Sequence, residues 1–473
     1  MDEGRLLYMN NYSVALVTLG CAKNQVDSSQ MARRIAAAGF LLCEDPSAAD
    51  VVVVNTCSFI QPAVEESIAT IFELLDLPNF TEGNAQLVVA GCLPARYGTE
   101  LQDSLTEAHA FLPCLDEKYI VTIIKEILGL LDDEEDCGDE DQPCSGNCAA
   151  CGHASLVDMP VPSCANLSAQ CPELLTQPDE GPYSAFVKIS EGCNRFCAFC
   201  MIPFIRGRYH SFPLEDIDAQ VCAEIEHGAQ EIVLIAQDTG RWGDDFEEPS
   251  STAVLLDTLA TRHPDTWFRI MYMEPEGVCD ELLQTMASHD NICSYLDVPI
   301  QHSNADVLKA MNRRGSYDEF LAMYKNMRRI VPDITIRTTL IAGFPGETQE
   351  QFEELCEFLE EAELDYVGVF PYSAEEGTNA AKMPESIDEE EKIYRARTLR
   401  EIADSISIAK VSARVGKQAD VLILGREEDG QLVGRAKCQA PEVDGGVFLS
   451  EGKPGEIRSV IIGDSLLYEM EAE

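Results

Sequence analysis

Positive charge is scarce in this sequence. Its 473 residues hold 34 Lys and Arg against 83 Asp and Glu, a formal net charge of −49. So acidic a chain repels phosphate backbones, which excludes unselective nucleic-acid binding and leaves basic proteins as the natural macromolecular partners; an acidic composition tuned to salt would give the same balance with no partner implied. Long apolar runs are missing too. Val51 to Val54 falls far short of the ~20 residues that span a bilayer, and the start Met1-Asp-Glu-Gly-Arg has no basic region leading into the apolar core of an export signal. The expectation is a cytoplasmic chain without membrane association. With 45% hydrophobic and 25% charged residues, collagen-like, mucin-like and wholly disordered chains are excluded. At roughly 150 residues per domain, the length predicts about three domains.

Cysteine is abundant. Nineteen cysteines in a reducing compartment do not make a disulfide framework, and an odd number cannot all pair within the chain. They call for a metal.

Residues 12–131 alternate β-branched strands with amphipathic helices, the pattern of a Rossmann-like parallel sheet. Strands are predicted at 14–19, 50–55 and 85–90, with a helix over 28–38. Each strand runs into a cysteine: Gly20-Cys21, Thr56-Cys57 and Gly91-Cys92. Parallel strands end along one edge, where α/β proteins place ligands, so three thiols are brought to one place. Spacing alone leaves open that these are buried thiols acting as small hydrophobes. Residues 132–180 form an acidic stretch inside a run without Lys or Arg between Lys125 and Lys188. It reads as a solvated linker, though one carrying Cys137, Cys144, Cys148, Cys151, Cys164 and Cys171. From 181 to 405, six strands (185–190, 231–236, 267–273, 295–299, 335–342 and 366–371) alternate with helices, which fits a partial TIM barrel working at its C-terminal strand ends. Residues 406–473 hold short strands between Gly and Asp turns, predicting a small antiparallel β-barrel.

The sharpest motif is Cys193-Asn-Arg-Phe-Cys197-Ala-Phe-Cys200, directly after a barrel strand. Soft thiolates select zinc or iron–sulfur clusters; four would close the site, whereas three leave one iron of a four-iron cluster open. Cys144-Ser-Gly-Asn-Cys148-Ala-Ala-Cys151 has the same spacing but no preceding strand and no aromatic before its last cysteine. Metal binding there, completed by His153, Cys164 or Cys171, stays open.

Cys-x3-Cys-x-aromatic-Cys resembles the signature of the radical S-adenosylmethionine enzymes. Leu19-Gly-Cys-Ala-Lys-Asn24, Asn55-Thr-Cys-Ser-Phe-Ile60 and Ala90-Gly-Cys-Leu-Pro94 look like the three boxes of the methylthiotransferase amino-terminal domain, and the terminal barrel resembles a TRAM domain. Within that family, Gln237-Asp238-Thr239, Pro299-Ile-Gln-His302, Met311-Asn-Arg-Arg-Gly315 and Val369-Phe-Pro-Tyr-Ser373 resemble the branch that modifies an aspartate of ribosomal protein S12. Ala22, Ser29 and Gly240 depart from the family's usual proline, glutamate and threonine, but none is a cluster ligand. The resemblance implies two 4Fe–4S clusters. Cys193, Cys197 and Cys200 hold the one that binds S-adenosylmethionine, and Cys21, Cys57 and Cys92 hold the one that carries sulfur. It implies that Phe199, Gly343, Gly346 and Glu347 line the adenosylmethionine, with catalytic residues unknown beyond the cluster ligands. It also implies methylthiolation of the aspartate β-carbon with two adenosylmethionines and a sulfur donor, and a reductant protein such as flavodoxin or ferredoxin.

Two other readings compete: a tRNA adenosine methylthiotransferase, and a non-catalytic zinc-binding interaction protein. Residues 415–473 hold six Lys and Arg against twelve Asp and Glu, where a tRNA-binding barrel should present cations to phosphate. The balance suits ribosomal protein S12 as partner and disfavours tRNA.

Overall fold

The computed structural model describes residues 12–131 and 183–472, apart from 385, 428 and 429. The cysteines, His153 and acidic run assigned above to 132–180 lie outside the described residues. The described chain falls into two compact units, one within Met1–Ser58 and Val64–Leu175, the other within Phe59–Ala63 and Thr176–Glu473.

The first unit is a five-stranded parallel sheet of β1 (Ser13–Thr18), β2 (Leu41–Cys43), β3 (Val51–Thr56), β4 (Gln86–Gly91) and β5 (Ala110–Pro113), in the order β2-β1-β3-β4-β5. Val51 to Val54 are fully buried, as a strand covered on both faces requires. Val52 and Val54 join one hydrophobic cluster and Val51 and Val53 another. Each such valine contributes about 1.5–3 kcal/mol on burial. Helix α1 (Ala22–Ala37) begins six residues before the predicted start at Ser28. Asn24 and Asp27 interrupt the apolar rhythm, yet both are buried, because tertiary hydrogen bonds outweigh their modest helix propensity. Helices α2 (Gln61–Leu75) and α3 (Cys92–Ser104) follow β3 and β4.

The second unit is built on an all-parallel sheet in strict sequence order: β6 (Ser184–Lys188), β7 (Glu231–Ile235), β8 (Trp267–Ile270), β9 (Ile292–Asp297), β10 (Thr335–Ala342) and β11 (Tyr366–Pro371). Intervening helices include α4 (Leu214–Glu226), α5 (Thr252–Arg262), α6 (Ala305–Ala310), α7 (Gln349–Ala362) and, after β11, α8 (Glu389–Ser412). This is a six-stranded partial barrel with one large apolar core running from Ala185 to Leu399.

Five further strands close a small barrel: β12 (Gln418–Arg426), β13 (Leu432–Ala436), β14 (Val447–Leu449), β15 (Ile457–Leu466) and β16 (Glu469–Ala472). Its pairings are antiparallel except β14 with β16, which is parallel. The closed barrel is the small, mainly antiparallel one expected, with this one parallel pairing. It packs against the N-terminal ends of the large sheet's strands through buried charge. Glu231 opens β7 and pairs with Arg269 at 2.8 Å and with Arg435 of β13. Arg269 also donates to the Lys437 carbonyl at 2.9 Å. Tyr295 donates to Asp444 at 2.5 Å. Burial opposes ionisation of Glu231, but the two guanidiniums hold its carboxyl down at about 2. No helix among the described residues is long and apolar enough to cross a membrane.

Candidate active site

In the first unit, β1, β3 and β4 are neighbours in register, with Thr18 beside Asn55 and Thr56 beside Gly91. Their C-terminal ends therefore lie side by side. Cys21 caps the start of α1, Cys57 follows β3 and Cys92 opens α3; Cys21 is exposed and the other two are buried. Close approach of these loops explains two glycines with left-handed backbone. A Cβ at Gly20 would lie 2.6 Å from the Cβ of Cys57, and one at Gly91 would lie 2.2 Å from Asn55 Oδ1.

One side chain touches all three loops. Fully buried Asn24 donates from Nδ2 to the carbonyls of Leu19 at 2.8 Å and Thr56 at 2.9 Å, and its Oδ1 lies 3.8 Å from Cys92 Sγ. Asn55 in turn donates to the Asn24 carbonyl at 2.9 Å. Ser67 Oγ accepts from the Cys57 amide at 3.1 Å and donates to its carbonyl at 2.8 Å. Sequence reasoning assigned no role to Asn24, Asn55 or Ser67; the available signal was a polar residue where an apolar helix face should continue.

In the second unit, the loop holding Cys193, Cys197 and Cys200 follows β6 on the C-terminal rim. Backbone amides already point at sulfur: Arg195 N is 3.5 Å from Cys193 Sγ and Ile202 N is 3.4 Å from Cys200 Sγ. Arg313 Nη1 lies 3.8 Å from Cys197 Sγ. Burial pushes the Cys193 thiol up to about 11 and Cys200 to about 12, with the Cys197 thiol adding to both, and raises Cys197 as well. Such thiols are poor free nucleophiles; a bound metal would take the place of their protons.

A frame of buried charge holds the rim. Glu191 bonds Lys188 at 2.7 Å and Gln237 at 2.6 Å and faces Arg206. Although burial works against it, Lys188 and Arg206 keep its carboxyl at about 2. Arg195 pairs with Asp238 at 2.9 Å and Glu276 at 2.7 Å. Arg313 pairs with Glu274 and donates to the Pro299 carbonyl at 2.6 Å. Between these side chains opens a polar cavity of about 490 Å³, lined by Asn194, Arg195, Arg241, Glu274, Arg313 and Arg314 among others.

Phe199 is half-buried and packs in one cluster with Phe344, Tyr372 and Met311, which brings it together with the loop after β10. Gly343 has left-handed backbone, and a Cβ there would meet Lys392 Cγ at 2.6 Å; around Gly346 there is open space. Glu347 turns into its own loop. Its Oε2 accepts from the amides of Gly343 at 2.9 Å and Phe344 at 3.2 Å, and its Oε1 from Arg395 at 2.9 Å. These bonds make it a brace for the loop's shape. His302 Nδ1 accepts from the Asn304 amide at 2.9 Å, so Nε2 carries the proton, 3.8 Å from Glu347. Burial, with Arg395 nearby, depresses its pKa to about 3, and the ring is neutral at physiological pH.

The thiol arrangement suits a cluster better than a single ion. Among the described residues, the group of three His, Cys, Asp or Glu ligand atoms all within 4.8 Å of one another is Asp218, Cys222 and His263, on α4 and just after α5. Neither thiol triad is so contracted, whereas thiolates bound to one zinc at about 2.3 Å sit about 3.8 Å apart.

A parallel β/α partial barrel with three cysteines on a loop at its C-terminal rim defines a radical S-adenosylmethionine enzyme. Residues 187–359 match the radical SAM superfamily model, residues 13–112 the uncharacterized protein family UPF0004, and residues 415–473 the TRAM domain. The chain is 38% identical over 471 residues to a ribosomal protein uS12 methylthiotransferase RimO of Syntrophus aciditrophicus, covering 98% of this chain and 99% of the relative. It is 37% identical over 465 residues to that of Trichlorobacter lovleyi, covering 97% of each. The chain belongs to the RimO family of methylthiotransferases. S-adenosylmethionine and 4Fe–4S clusters are therefore its cofactors. Among solved structures it is similar in fold to the radical S-adenosylmethionine methyltransferase TsrM from Kitasatospora setae, with TM-score 0.52, 15% identity, and 76% of this chain and 75% of that chain covered. It is also similar to the cobalamin-dependent radical enzyme OxsB, with TM-score 0.51, 13% identity, and 82% and 56% covered.

Proposed function

We propose that this chain methylthiolates the β-carbon of an aspartate in ribosomal protein uS12, in the cytoplasm, drawing electrons from a flavodoxin- or ferredoxin-like protein. The observation that carries the reading is the pair of separate thiol triads, each at C-terminal strand ends, in a chain alike to uS12 methylthiotransferases over nearly its full length. Cys193, Cys197 and Cys200 would hold the adenosylmethionine cluster, and Cys21, Cys57 and Cys92 the sulfur-carrying one. When bound, these groups supply sulfur and a carbon-centred radical able to take hydrogen from a C–H bond too weakly acidic for any protein base.

The chain's own residues position and shield. Amides of Arg195 and Ile202 and the guanidinium of Arg313 direct hydrogen bonds at the barrel sulfurs, which offsets part of the thiolate charge. Glu191 and its cations fix the loop's base, while Phe199 against Phe344 covers the apolar side of the site. Glu347, braced by Arg395, sets the course of the Gly343–Gly346 turn, where backbone can approach the adenosylmethionine closely.

The small barrel argues against tRNA. Arg435 is buried against Glu231, and Lys437 bonds the Asp290 carbonyl at 2.7 Å beside Trp267. Two of its six cations thus face the large sheet instead of a ligand. Mass spectrometry of uS12 and bulk tRNA from a strain lacking the gene tests the assignment: the aspartate should lose its methylthio group while tRNA stays unchanged. Unmodified tRNA with intact uS12 would overturn it in favour of the tRNA reading.

A further inference from the structure

The cavity beside the cysteine loop concentrates arginine in a chain that is otherwise strongly acidic. Its walls come from loops after β6, β7 and β8 and from the turn after α6, all on the C-terminal rim. Four arginines line it. Arg195 is neutralised by Asp238 and Glu276, Arg313 by Glu274, and Arg241 by Asp244 at 3.1 Å. Arg314 is exposed and makes no hydrogen bond or ion pair among the described residues. Arg314 is thus the one of the four without a carboxylate partner among the described residues.

An aspartate substrate poses a specific electrostatic problem. Its β-carbon can react only if the adjoining carboxylate is brought to the rim of a protein of net charge −49, where a nearby cation offsets the repulsion. A guanidinium offers the planar fork that matches a carboxylate with two hydrogen bonds. We propose that Arg314 receives the side-chain carboxylate of the target aspartate. The proposal rests on the methylthiotransferase reading above. Adenosylmethionine also carries a carboxylate, and the two sources separate experimentally.

The test uses the full chain, reconstituted anaerobically, with a peptide carrying the target aspartate between basic residues. Michaelis constants for peptide and adenosylmethionine are measured separately, together with deoxyadenosine formed without peptide. For Arg314→Ala, loss of a charge-assisted pair predicts a peptide KM raised about 10- to 100-fold, with the adenosylmethionine KM and peptide-free deoxyadenosine unchanged. Arg314→Lys should recover part of the loss. As a competitive inhibitor, a peptide with Asn in place of the aspartate should bind wild type and Arg314→Ala equally weakly. A raised adenosylmethionine KM with unchanged peptide KM would overturn the proposal by assigning Arg314 to the cofactor's carboxylate, and so would no change in either. Wild type that cleaves adenosylmethionine yet never modifies the peptide would instead defeat the underlying methylthiotransferase reading, and this proposal with it.

Discussion

Asn24 ties the three cysteine loops of the first unit together, so replacing it tests how that site is built. Its amide gives both hydrogens to the carbonyls of Leu19 and Thr56, at 2.8 and 2.9 Å, in a fully buried position. Asn24→Ala orphans two acceptors at about 1–3 kcal/mol each. Asn24→Asp keeps the shape but sets carboxylate oxygen against the same carbonyls, so it must either take up a proton or repel both loops. Loss of about 3 kcal/mol from a domain of this size lowers Tm by roughly 10 °C or more. The informative readout is iron. Two four-iron clusters give about eight irons per chain, and both variants should fall toward about four after reconstitution. Deoxyadenosine production by the barrel site should persist while methylthio transfer is lost. Retention of full iron and transfer activity by Asn24→Asp would refute the reasoning.

Three further outcomes follow from buried charge. Glu231→Gln leaves Arg269 and Arg435, with side chains 0% and 3% exposed, without a counter-charge, and should cost about 3–5 kcal/mol in denaturant unfolding; a change under 1 kcal/mol would contradict the burial argument. Because Glu231 is held at about 2, below its ordinary 4.5, its contribution is present above pH 4.5 and is lost as pH falls toward 2. Asp444 behaves oppositely: burial raises it from 3.8 to about 6, so its contribution is full below 3.8 and fades as pH rises through 6, by about 3 kcal/mol. Asp444→Asn should flatten that interval of the stability profile, and an unaltered slope would refute the assignment.

Strands built from β-branched runs were legible almost to the residue: 50–55 was expected and Val51–Thr56 is found, and 335–342 coincides with Thr335–Ala342. The short strands β2 and β5 escaped because a few residues at a sheet edge carry no periodicity. The last strand escaped because Glu469-Met-Glu-Ala472 reads as a charged tail, yet Met470 is buried and pairs with Val447. In the site, the cysteines were readable from their placement after predicted strands, whereas their supports were not. Glu231 finds Arg435 across 204 residues, a separation no local pattern can signal. Glu347 could be read as a residue of the loop after β10, but its inward turn depends on Arg395 from a distant helix.

The central claim is a division of labour between two thiol triads. It is tested most directly by comparing Cys57→Ala and Cys197→Ala in one reconstituted assay that follows deoxyadenosine and the mass of uS12. Cys57→Ala should still form deoxyadenosine but add no methylthio group, and Cys197→Ala should do neither. A methylthiolated uS12 from Cys57→Ala, or deoxyadenosine from Cys197→Ala, would contradict the account.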